Sequence, residues 1–208
     1  MNNENTVAVW DVLIRIFHWS LVLAFTVAYF TSEDENAWHI YAGYSVLGLI
    51  IFRVIWGFVG SRYARFSDFV HSPANVFHYI AELRAGTAKH HLGHNPLGGW
   101  MVLALLSTLL VVTISGLKVY AIEEGRGPLA SNLPMLSVIS AAHAEDDDEG
   151  ETGGEGRQDE EFWEEIHEGA TNFMLVLITL HVLGVVISSR VHNEHLIKAM
   201  LTGKKSKK

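Results

Sequence analysis

Four runs of apolar residues divide the chain, at about 12–30, 40–59, 98–119 and 162–188. A helix needs roughly 20 apolar residues to cross a hydrocarbon core. Only helices and closed barrels satisfy their backbone in lipid, and these runs lack the alternation of a strand. The pattern therefore predicts four transmembrane helices within a single domain spanning 1–208. Between the second and third runs, segment 60–96 carries a short interfacial helix around 73–83, with Pro73 at its start. Asn95 and Pro96 read as the cap and first residue of the third span. The first run is expected to be a span rather than a cleaved leader. It is long, contains Arg15, and is followed by acidic residues 33–35 with no small-residue cleavage site. Ala142-His143-Ala144 resembles such a site but lies deep in the chain.

Charge sorts the connecting segments. Residues 121–165 hold 14 acids and 2 bases, while the rest of the chain is mildly basic. An acidic loop, 121–161, thus interrupts a basic apolar body. Its stretch 145–161 is poor in apolar residues, contains Gly150, Gly153, Gly154 and Gly156, and is expected to be partly disordered. With the N-terminus inside, the inner segments carry Arg62, Arg65, Arg84, Lys89, Arg190, Lys198, Lys204, Lys205, Lys207 and Lys208. The outer ones carry only Arg126 and Arg157. This asymmetry predicts cytoplasmic N- and C-termini. Trp10, Trp56 and Trp100 then lie near the inner interface, and Trp38 and Trp163 near the outer one. The net charge of −8 argues against nucleic acid as a partner, leaving membrane lipid as the surroundings. With no cysteine, a disulfide scaffold, an iron–sulfur ferredoxin, a covalently attached c-type haem and a thiolate zinc site are excluded.

Polar groups at membrane depth are functional candidates. His18 lies near the inner end of the first span, His39 and His167 near the outer ends of the second and fourth, and His181 fourteen residues beyond His167. Fourteen residues turn a helix by about 1400°, roughly 40° short of four turns, and advance it about 21 Å. His167 and His181 therefore point the same way at two depths. By depth the imidazoles pair as His18 with His181 and His39 with His167. Any one of them alone could be a helix–helix hydrogen bond. Two stacked pairs suit two b-type haems, each iron held axially by two imidazoles, in an all-α four-helix transmembrane bundle. Such iron has no open coordination position, which favours electron transfer over oxygen activation. Arg53, fourteen residues after His39, and Arg15, three before His18, are candidates to meet haem propionates. Arg15 could equally reach the lipid headgroups. Gly43, Gly48, Gly116, Gly169 and Gly184 would admit a flat macrocycle or serve ordinary helix packing. His91-x-x-His94 is a weak metal motif without a third ligand. His71, His78, His143, His192 and His195 read as solvated or structural. Glu168 is a relay candidate or a solvated acid.

The run Trp10-Asp11-x-x-x-Arg15-x-x-His18-Trp19 resembles the opening of the prokaryotic cytochrome b561 family, which includes the b-type subunit of nickel–iron hydrogenases. The likeness continues through His39-x-x-x-Gly43-Tyr44, Arg53-x-x-Trp56-Gly57 and His94-Asn95-Pro96-x-Gly98. It runs on through Glu123-Glu124-Gly125-x-Gly127-Pro128-Leu129, Trp163-Glu164-Glu165-x-His167-Glu168 and His181-Val182-x-Gly184-Val185. It ends in the tail from His192 to Lys204. The resemblance implies a four-helix inner-membrane cytochrome with two non-covalent haems b, ligated at His18, His39, His167 and His181. The acidic outer loop is longer than in the shortest members.

The resemblance further implies electron transfer between the quinone pool and a periplasmic redox partner such as a c-type cytochrome, in a respiratory chain. Alternatives are a membrane-anchor subunit of a hydrogenase-like dehydrogenase and a superoxide:quinone oxidoreductase. No short motif places the quinone. Arg15, Arg53 and 90–94 are inner candidates for it, and Trp38, Trp163 and Glu168 outer ones.

Overall fold

The computed structural model describes residues 6–32, 37–130 and 152–206, with side chains in the last stretch from 158 onward. In order, the elements are β1 (Thr6–Ala8), α1 (Val12–Phe30), α2 (Ala37–Val59), a 3-10 turn (Arg62–Ala64), α3 (Phe66–Phe69) and α4 (Pro73–Ala85). Then come α5 (Pro96–Glu123), α6 (Thr152–Val191), α7 (Leu196–Thr202) and β2 (Lys204–Ser206). Among the described residues, four helices are long and apolar enough to cross a membrane: α1, α2, α5 and, from Gln158, α6. Their large side chains stand open, with Leu23 66%, Phe58 70% and Phe30 77% exposed. Water would penalise that surface, whereas lipid tails match it.

α6 begins at Thr152 rather than near 162, so part of the acidic stretch forms its first turns. Glu, Gln and Arg lose little entropy in a helix, and acids near its N-terminus meet a favourable dipole. Residues 131–151, including His143, lie outside the described residues.

The chain divides into two compact units, Met1–Ser107 with Met174–Lys208, and Thr108–Phe173. In the first, α1 and α2 form an antiparallel hairpin tied at both ends. Asp11 caps α1 by accepting from the Ile14 amide at 2.8 Å. The same carboxylate accepts from Trp56 Nε1 at 3.1 Å, near the end of α2, and from the Ser61 hydroxyl just beyond. At the other end His39 meets the Ala28 carbonyl. Between these ties α2 buries Ala42, Val46, Ile50, Arg53 and Gly57, a stripe with helical spacing that includes one charge. Ile14 and Phe17 are its buried counterparts on α1.

β1 and β2 pair antiparallel, with Val7 opposite Lys205, and so join the two ends of the described chain on one face. This two-stranded ribbon is an addition to the expected all-α architecture. The second unit brings the C-terminal half of α5 against the first half of α6. Lys118 lies 5.9 Å from the Trp163 ring and Ser115 bonds His167, so these segments also run antiparallel.

Burial alone would push the Asp11 carboxyl up, but hydrogen bonds from Ser61, the Ile14 amide and Trp56 hold it below its ordinary value. A lowered native pKa contributes stability above the unfolded value, and that stability is lost as pH falls through the lowered one. Asp11→Ala removes a cap worth about 1 kcal/mol and strands two donors at about 1–3 kcal/mol between them. Thermal unfolding in detergent is expected to move to lower temperature at neutral pH, with the gap from the parent narrowing in acid.

Candidate functional site

The four histidines meet different local demands. His39 sits in the first turn of α2. Its Nδ1–H donates to the Ala28 carbonyl, 2.8 Å away in the last turn of α1. That carbonyl belongs to a turn where intrahelical partners run out. His167, on α6, donates from Nδ1 to Val112 O at 2.9 Å, with Ser115 Oγ at 3.2 Å. The Ser115 hydroxyl is buried and donates back to Val111 O. Gly116 completes the cradle, because a Cβ there would stand 2.8 Å from His167 Cε1. Each imidazole thus carries its proton on Nδ1 and its lone pair on Nε2. Metal-ligating histidines are commonly oriented in this way, through a hydrogen bond on the second nitrogen.

His18 and His181 both lie in the first unit, near enough to interact electrostatically. The His18 ring stands edge-on to Trp19 at 5.1 Å, and its Nδ1 is buried without a partner. His39 lies level with Ala28, about 15 Å further along α1 than His18 by helical rise. Two depths are therefore present within this one hairpin.

Arg53 is 4% exposed, its guanidinium 5.1 Å from the Phe66 ring and 5.6 Å from Phe69. Asp11 acts on it electrostatically, yet its Nη1 is buried with no hydrogen-bond acceptor. Arg15 donates from Nη1 to Leu201 O at 2.6 Å, and its Nε is likewise buried and unpartnered. A buried donor without an acceptor is costly, and more so when charged. A bound carboxylate would supply what both arginines lack. A Cβ added at Gly43, Gly48 or Gly184 would meet nothing within 4 Å, so these positions border open space. In the second unit the same holds at Gly169. Oriented imidazoles, unsatisfied guanidinium donors and open glycine edges fit a flat metalloporphyrin with acidic side arms.

The other candidates separate. The His94 ring lies between Trp10 at 4.7 Å and Phe69 at 4.9 Å, while that of His91 faces Tyr79 at 5.6 Å. They have different neighbours, which weakens the His91-x-x-His94 metal reading. Among the described residues, the group with ligand atoms within 4.8 Å of one another is Glu123, Glu160 and Glu164. His192 Nε2 lies 3.4 Å from the Tyr79 hydroxyl. Glu168 is exposed on α6. Trp163 stacks on the Lys118 ammonium. Sequence reasoning missed the burial of His94 Nδ1 and the ion pair of Glu194 with Lys205. The only hint of the first was its place just before the Asn95-Pro96 helix start.

A chain with four membrane-length helices and this donor set falls in the class of helical membrane haem proteins. The family model described as prokaryotic cytochrome b561 matches residues 9–203, and the chain belongs to that family. It is accordingly an integral membrane protein and a b-type cytochrome of electron transport. It is similar to the "Probable Ni/Fe-hydrogenase B-type cytochrome subunit" of Azotobacter vinelandii. The two are 24% identical over 236 aligned positions, covering 98% of this chain and 90% of that one. No solved structure matches.

Proposed function

We propose that the chain is a di-haem b cytochrome that passes electrons between the quinone pool and a periplasmic redox partner. His18 with His181 would hold the inner haem, and His39 with His167 the outer one. Arg53 and Arg15 would neutralise propionates of the inner haem. When bound, iron held by two imidazoles supplies one-electron ferrous–ferric exchange. The observation that carries this reading is the hydrogen-bond pattern common to His39 and His167, each with Nδ1 committed to a helix carbonyl. The outer pairing itself rests on the fourteen-residue spacing of His167 and His181 along one helix.

Both termini would face the cytoplasm. The pairing of β1 with β2 supports a common side for them, as an even number of spans requires. The acidic loop would lie in the periplasm and draw a basic partner such as a c-type cytochrome. The protein purified in detergent is expected to carry two haems b per chain by pyridine haemochrome assay. Its redox titration is expected to resolve two one-electron steps, and added quinol to reduce it. A colourless protein, or one haem per chain, overturns the reading.

A second reading makes the chain the membrane anchor of a periplasmic dehydrogenase. The likeness to a probable hydrogenase cytochrome subunit of Azotobacter favours it. Co-purification of a large metal-containing subunit from native membranes supports this reading, and isolation of the cytochrome alone counts against it.

A further inference from the structure

His94 is the one histidine of the inner segment 86–95 whose ring nitrogen is buried and unsatisfied. Its Nδ1 has no hydrogen-bond partner, although the ring is fixed on two sides by Trp10 and Phe69. The backbone just after it is fixed as well. Asn95 Oδ1 accepts from the Gly98 amide at 2.7 Å, and Gly99 meets the Phe69 carbonyl so closely that a side chain there would collide. The direction of Nδ1 is therefore set by packing rather than by a hydrogen bond.

The neighbours of His94 identify what it lacks. Phe69, fully buried, carries the Arg53 guanidinium on its ring as well as the His94 imidazole. Arg53 and His181 both act electrostatically on His94. Arg53 Nη1, His18 Nδ1 and His94 Nδ1 are all orphaned in this unit. Arg15, with its own orphaned Nε, is linked through Gly203. A Cβ at Gly203 would lie 2.6 Å from Trp10 O and 3.3 Å from Arg15 Nε. Burial, with Arg53, Lys205 and His181 adding to it, pushes the His94 imidazole down to about 3, so it is neutral at physiological pH. A neutral imidazole has one N–H, and with that proton on Nδ1 the buried atom needs an acceptor. The groups that act on it electrostatically are cationic or neutral, the carboxylate of Asp68 stands against the neighbouring Gly93, and an anion beside Arg53 would complete the cluster.

We propose that His94 donates from Nδ1 to a propionate of the inner haem, beside Arg53, and so is a positioning residue that sets that haem's potential. This rests on the di-haem reading above. The carboxylate would then be shared between a charged guanidinium and a neutral donor, which keeps its charge from acting fully on the iron. Loss of the donor leaves more negative charge near the iron and stabilises the ferric form.

The test is a redox titration of the detergent-purified protein with three variants, after the inner haem has been identified as the one missing in His18→Ala. In His94→Asn the amide nitrogen falls close to the Nδ1 position, so the potential is expected to stay near the parent value. His94→Gln places its donor nearer Nε2, and His94→Leu has none. In both, the ferric form of the inner haem is expected to gain about tenfold, a fall of about 59 mV for a one-electron couple. The resonance Raman propionate bending band is expected to shift with it. Equal potentials in Asn and Gln variants overturn the proposal, even if the Leu variant does not fold. A shift of the other haem overturns it too. So does a raised KM for quinol at unchanged potential, which would place His94 on the quinone instead. Failure of the di-haem reading shows separately, because the parent would then lack haem or His18→Ala would lose none.

Discussion

Alanine at His18 or His181 is expected to remove one haem and spare the other, and alanine at His39 or His167 to remove the complementary one. In each case about half of the reduced b-type absorbance disappears, because a porphyrin that loses one of two axial imidazoles loses its clamp between helices. The same component should vanish from the redox titration for both members of a pair. Retention of some five-coordinate, high-spin haem still counts as a match if the same component is affected in both. External imidazole is expected to restore the low-spin spectrum in such cases. The outer pair has a further check. Ser115→Ala removes one acceptor from His167 Nδ1 but leaves Val112 O at 2.9 Å, so the outer haem is expected to stay bound. Loss of both haems in every variant would show one cooperative folding unit rather than two pairs. Loss in a different combination would overturn the pairing.

The membrane spans were legible because lipid-facing side chains declare themselves without any knowledge of the partner helix. α1 has the expected bounds, Val12–Phe30. Asp11 was visible as part of a motif, but not as the acceptor joining α1 to Trp56 and Ser61. That role depends on α2 returning antiparallel, which no local pattern encodes. The histidine positions could be read from depth and helical phase. Their orientation could not, because the carbonyls of Ala28 and Val112 belong to neighbouring helices. β1 and β2 are three residues each and lie at opposite ends of the chain, too short to show alternation. Lys205 sits among four other polar residues near the chain's end and reads as a solvated tail, yet it is 7% exposed. His94 read as half of a weak metal motif. Its ring contacts come from Trp10 and Phe69, which the fold delivers from distant segments.

Glu194→Ala is expected to be the most damaging single change away from the proposed ligands. Lys205 Nζ lies 3.5 Å from Glu194 Oε2 and 3.3 Å from the His91 carbonyl, while the other carboxylate oxygen lies 2.6 Å from His90 Nε2. The Lys205 and Glu194 side chains are only 6% and 7% exposed. Alanine leaves a buried ammonium with one carbonyl, and breaking a buried pair from one side costs about 3–5 kcal/mol. Lys205→Met together with Glu194→Ala removes both charges and is expected to cost less than Glu194→Ala alone. The exposed pair of Arg62 with Asp68, 3.7 Å apart with Arg62 81% exposed, is the control. Arg62→Ala is expected to change stability by less than about 1 kcal/mol. Burial alone would raise the Glu194 carboxyl, but His90 and Lys205 hold it below its ordinary value. Its contribution is therefore present above the unfolded carboxylate pKa and is lost as pH falls through the lowered one. Thermal unfolding and proteolysis of the C-terminal segment measure the effect. It reaches beyond the tail, because the Gly203 carbonyl accepts from the Val9 and Trp10 amides at 2.8 and 3.1 Å. The Trp10 ring in turn holds His94. A loosened β2 is therefore expected to lower the inner haem potential as well, whereas a tail that merely frays would leave that potential where it was.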